Sequence, residues 1–203
     1  MLRLGQRGRI AAASLVTLWA SEAHAQATDP AAAQSLFDEG KRLMGEKNFA
    51  AACPKLAESQ KLDPSAGTVI ALALCHEGEG RTATAWAEFV QAQSDARRDK
   101  RADREAAASE HIKALEPRLV RVRVVVGKPV DGLEVKRDGV ALGSAAWSVP
   151  VAVDPGPHLF EATALQKQRW SSIVELRDEG KVTDVVVPEL AEAPPQGNVN
   201  PGT

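Results

Sequence analysis

The chain has no tyrosine, only two cysteines, and aromatic side chains at 4% of its 203 residues. Its formal charge is −2, so no basic field exists to neutralise phosphates, and nucleic acid is not expected as a partner. The most charged stretch, residues 94–116, mixes both signs and interleaves no aromatic ring among them. It lacks the stacking platform that single strands need and reads as a solvated helix face. No phosphate loop, dinucleotide fingerprint or zinc-protease motif occurs, so no enzyme and no cofactor are expected. No apolar run reaches the roughly 18 residues of a membrane span.

The longest such run, residues 10–20, has the length of a leader's apolar segment. Arg3, Arg7 and Arg9 precede it, and Ala23-His24-Ala25 follows with small residues at the spacing of a cleavage site. Residues 1–25 are expected to be a signal peptide, with a mature chain starting near Gln26 and no stable membrane span after cleavage. No cysteine follows the cut, which argues against a lipid anchor. Loss of three arginines and Glu22 takes the formal charge from −2 to −4. The expected location is periplasmic or secreted.

Export changes the reading of the cysteines, because an oxidising compartment favours a pair over free thiols. If a turn falls at residues 63–67, two antiparallel helices leave it. Cys53 and Cys75 then lie level, each 11 residues from Pro64. A bridge between them would stabilise the fold by about 3 kcal/mol on the chain-entropy model. A metal site would recruit His76 and His111, but the close paired spacing of a zinc site is missing, and no metal is expected.

An internal repeat runs through the same stretch. At an offset of 33 residues, Gly40 matches Ala73, Gly45 matches Gly78, Ala52 matches Ala85, Leu56 matches Phe89 and Ser59 matches Ala92. Small residues recur where helices must approach closely, and large apolar ones recur between them. Such a period is the mark of stacked helical hairpins. The pattern resembles the tetratricopeptide repeat, with Gly40, Phe49, Ala52, Leu56 and Pro64 on that family's positions in the first unit. Ala73, Gly80, Ala85, Phe89 and Ala92 take them in the second. Thr82 and His76 depart from it, standing where bulky or aromatic residues are usual, and Pro54 sits inside a helix, where it should kink it. His76 aligns with Leu43, so it is expected to be a partly buried structural histidine. Two units leave an end open, and residues 94–116 are the expected helical cap.

At Pro117 the period changes from helical to alternating. Val120, Val122, Val124 and Val126 fall on one face of a strand, with Arg121 and Arg123 on the other. Further strands follow at 133–136, 140–142, 149–153, 158–164, 170–176 and 182–187, with Asp138-Gly139 as a hairpin turn. The expected fold class is α+β, antiparallel helical hairpins followed by a small antiparallel β-sandwich. Its boundaries are 26–117 for the helical domain, 118–190 for the sandwich and 191–203 for a disordered tail rich in Pro, Gly and Asn. The sandwich resembles the PEGA domain and related immunoglobulin-like envelope modules by pattern, with residues 154–158 in the place of that family's naming turn but without its tetrapeptide.

Together the halves, above all "ACPKLAESQKLDP" and "CHEGEGRTATAWAEF", resemble secreted bacterial envelope proteins that scaffold other proteins. That resemblance implies a protein partner in the cell envelope and no activity. Repeat alignment nominates Phe37, Lys41, Met44, Ile70, Leu74 and Glu77 as a partner-binding groove, with burial of Phe37, Ile70 and Leu74 in the core as the alternative. A second reading has the sandwich bind envelope glycan, peptidoglycan or polysaccharide. Exposed Trp147 or Trp170 would favour that reading, because sugars stack on aromatic faces; burial of both would favour a scaffold.

Overall fold

A computed structural model describes residues 29–194; the expected signal peptide and residues 195–203 lie outside the described residues. Among the described residues, five helices come first: α1 (Pro30–Gly45), α2 (Phe49–Leu62), α3 (Ala66–Glu79), α4 (Thr82–Arg98) and α5 (Ala102–Leu115). Local signals set their ends. Asp29 accepts from the Ala32 amide with Pro30 behind it in the first turn, and Ser65 accepts from the Thr68 amide at 3.1 Å; both satisfy donors that a helix start leaves without partners. Pro54 is tolerated at the sixth residue of α2, where its ring is exposed.

The repeat alignment is visible in the packing. Ala52, Leu56, Ala73, Ala85 and Phe89 are all completely buried. Gly40 lets α1 close on α2, since a Cβ there would lie 2.7 Å from Leu56 Cγ. Cys53 and Cys75 form a disulfide with Cα atoms 5.6 Å apart, joining α2 to α3 at the expected level.

The helical stretch expected over residues 94–116 is two helices. Ser94 to Arg98 complete α4, the chain reverses through Lys100 at φ 57°, and α5 returns along α4. No glycine or proline announces this turn. Its cause is burial: antiparallel return covers Ala92, Phe89 and Ala108 in one cluster with Leu115, which a continuous helix would leave in water. Helix α5 is thus the cap, in folded-back form.

Strands β1 (Val120–Val126), β2 (Glu134–Arg137), β3 (Val140–Leu142), β4 (Val151–Val153), β5 (Gly156–Thr163), β6 (Trp170–Leu176) and β7 (Val182–Val187) form two sheets, ordered β4-β1-β7 and β3-β2-β5-β6. The fold is therefore α+β, a helical region followed by a β-sandwich. Asp138 and Gly139 both take positive φ, 51° and 79°, the backbone that a two-residue hairpin turn requires. Pairing is antiparallel except between β1 and β7, which run parallel with Val122 opposite Thr183. Strand β4 is shorter than expected: Val149 is exposed, and Pro150 has no amide for the ladder. Inward-facing Val120, Val122, Val124, Val135, Val153, Val185 and Val187 make one core with Phe160 and Leu176. The chain stays attached past its last strand, for Gln168 donates to the Ala191 carbonyl and Ala193 to that of Gln166, both at 2.8 Å. The tail expected to be disordered from residue 191 is instead held over residues 191–193 as a short strap.

The two regions meet where α4 starts. Its N-cap, Arg81, makes no capping bond. Asp154, from the turn between β4 and β5, does so instead: it accepts from the Thr84 amide at 2.8 Å, the Thr84 hydroxyl at 2.6 Å and Arg81 Nε at 3.2 Å. Where the chain passes from α5 into β1, the Gly180 amide donates to the Leu119 carbonyl at 3.2 Å.

Candidate functional site

The nominated groove residues lie on α1 and α3, the first helices of successive hairpins. Those helices touch, and Glu77 on α3 reaches α5 through His111 Nδ1 at 2.8 Å. Phe37 and Met44 are half-buried against the cluster that contains Leu43, Leu56 and the disulfide. Ile70 and Leu74 are half-buried against the neighbouring cluster around Phe89. Lys41 is exposed. The apolar members thus have one side packed on the core and the other at the surface. Glu77 differs: its carboxylate is held by His111, whose ring stacks on Phe89 with centroids 4.4 Å apart, so it ties α3 to α5. At one end of the strip a cavity of about 130 Å³ opens between Phe37, Ser59, Asp63 and Thr68.

His76 is 7% exposed and its Nδ1 lies 2.8 Å from Glu88 Oε2 on α4. It occupies the repeat position of Leu43 and substitutes a buried polar link between α3 and α4 for an apolar contact. Glu110, beside His111 in sequence, is exposed and points elsewhere. The metal-site alternative paired His76 with His111. Among the described residues the group within ligating reach is different: ligand atoms of Cys53, His76 and Glu79 lie within 4.8 Å of one another, and His111 is not among them.

In the sandwich, Trp147 and Trp170 are both half-buried and packed against the valine core. Trp147 Nε1 donates to the Leu142 carbonyl at 3.2 Å, which places its polar edge inward. His158 spans two turns, with Nδ1 2.7 Å from Asp138 Oδ2 and Nε2 donating to the Asp154 carbonyl at 2.8 Å. It fixes the turn that presents Asp154 to α4. Burial pushes the Asp154 carboxyl upward, but the Thr84 hydroxyl and amide and the Arg81 guanidinium outweigh it and hold the group below the usual carboxylate range.

Sequence reasoning missed Asp154, Thr84 and Glu88 as partners. Asp154 stood in a recognised turn, yet the amide it caps lies 70 residues away, and no local pattern encodes that pairing. No protein-family model matches the chain, and no curated protein matches it. No described helix is long and apolar enough to cross a membrane.

Proposed function

We infer that this chain is an exported, non-enzymatic interaction module of the bacterial cell envelope, in which tetratricopeptide-like hairpins hold a protein partner and a PEGA-like sandwich supports them. The observation that carries this reading is the strip on α1 and α3. Phe37, Met44, Ile70 and Leu74 each keep part of an apolar side chain at the surface beside the exposed Lys41. Half-buried apolar anchors with an adjacent charge suit an amphipathic or acidic protein segment, because the anchors are already ordered by the core and lose little entropy on binding.

Trp147 and Trp170, both half-buried, meet neither the exposed state expected for glycan binding nor the buried state expected for a scaffold. Rings packed on the valine core, one with its N–H turned to the backbone, offer less face for a sugar to stack on. The test is capture from envelope extract with the whole chain, comparing wild type with Lys41→Glu on the strip and Ile173→Asp on the exposed sheet face. A discrete protein retained by wild type and by Ile173→Asp, but reduced at least tenfold by Lys41→Glu, is expected. Equal retention by both variants, or co-sedimentation of the chain with purified envelope glycan in place of protein capture, would overturn the reading.

A further inference from the structure

The disulfide lies against groups that could serve it in another state. His76 and Glu79, three residues apart, share one face of α3, and Cys53 approaches them from α2. Their ligand atoms lie within 4.8 Å of one another. Tetrahedral zinc bound by sulfur, nitrogen and oxygen holds its donors roughly 3.3–3.8 Å apart, so a closure of about 1 Å would complete the set. Glu88 holds Nδ1 of His76 at 2.8 Å, which leaves Nε2 as the available ring nitrogen. A carboxylate behind the imidazole is the arrangement that fixes a metal-binding histidine's tautomer and raises its basicity. A cavity of about 190 Å³, lined by Cys53, Pro54, Ala57, His76, Glu79 and Arg81, gives an ion room to enter and a water room for the fourth position.

One donor is missing in the oxidised chain. Cys53 Sγ is bonded to Cys75, and a disulfide sulfur carries no charge and binds divalent metals poorly. We propose that reduction of this disulfide converts the Cys53, His76 and Glu79 cluster into a divalent transition-metal site of the zinc class, with Glu88 as the positioning carboxylate. The balance is simple. A dithiol reductant delivers two electrons and two protons, breaking the Cys53–Cys75 bond, giving two thiols and closing its own disulfide. The metal then displaces the Cys53 proton to solvent and bonds the thiolate, while Cys75 stays protonated, its Sγ 3.8 Å from the Phe49 carbonyl oxygen that can accept from it. Arg81, 3.9 Å from Glu79, is the cation that the metal must displace from that carboxylate.

The experiment titrates cobalt(II), as a spectroscopic stand-in for zinc, into the whole chain in three forms: oxidised, reduced by a phosphine, and Cys75→Ser, in which Cys53 is free without any reductant. Circular dichroism establishes that each form is folded, and thermal melting with and without zinc establishes that metal binds the folded state. Expected are one cobalt per chain with a thiolate charge-transfer band in the reduced and Cys75→Ser forms, none in the oxidised form, and a melting temperature raised by zinc. Affinity should fall at least tenfold in His76→Ala and Glu79→Ala and by about 10- to 100-fold in Glu88→Gln. If Cys75→Ser does not fold, the reduced wild type and reduced Glu88→Gln decide the matter. Equal binding by oxidised and reduced chains, undiminished binding by His76→Ala, or a folded reduced chain without the thiolate band would overturn the proposal.

Discussion

The helical and sheet regions reach stability by different means. In the helices the buried positions are largely alanine, including Ala52, Ala73, Ala85, Ala92, Ala96 and Ala108, and the core divides into two clusters. In the sandwich seven buried valines join Phe160 and Leu176 in one cluster. Burial of a valine is worth about 1.5–3 kcal/mol, and a single methylene-sized group about 0.8 kcal/mol. A stack built from small residues gains close backbone approach but little apolar area. It therefore depends on links that do not scale with area: the disulfide, the buried bond from Ser59 to the Ala33 carbonyl at 2.8 Å, the His76–Glu88 pair, and a cap supplied from the other region. The sandwich has polar links too, such as His158 to Asp138, but adds them to one continuous apolar core.

Three measurements sharpen this contrast. The largest effect is expected in the sheet region, where Phe160→Ala should cost about 3–5 kcal/mol. Its signature is loss of hydrogen-exchange protection over β2, β5 and β6, with α1 to α3 retaining theirs. Next comes Cys53→Ser, expected to cost about 3 kcal/mol. Melting under oxidising conditions should show the loss and melting with reductant should not; an equal loss in both would mean that packing rather than the covalent link holds α2 to α3. The smallest, Asp154→Ala, removes the cap and should cost about 2 kcal/mol, with exchange quickening first at the start of α4.

That cap also carries a pH dependence with a definite sign. Since the folded Asp154 carboxyl sits below its ordinary value, its contribution is complete above the unfolded value of about 3.9. It is lost as pH falls through the lower folded value. Stability of wild type should therefore drop more steeply on acidification than that of Asp154→Ala. Parallel acid curves would show that Asp154 does not link the regions.

Much of this was legible in advance, and particular residues show why. Val120 to Val126 and Trp170 to Leu176 were bounded correctly from alternation alone, because a half-buried strand writes its burial into every second residue. The level pairing of Cys53 with Cys75 followed from helix rise on either side of one turn. The return at Lys100 was not legible, since it has neither glycine nor proline to mark it. The tie made by Glu77 is not legible for a related reason: its partner His111 lies 34 residues on, beyond any helical period.

By itself the sequence determined the order of elements, the alternation that makes one face of each sheet apolar, and the register of the helical hairpin around its bridge. These are short-range consequences of period, turn chemistry and spacing. Only the tertiary structure decided that α4 borrows its cap from Asp154, that β7 lies parallel to β1, and that His76 and Glu79 gather at Cys53. Each of those depends on chain segments distant in sequence, and their meeting is fixed by which arrangement buries the most apolar surface while leaving the fewest polar groups without partners.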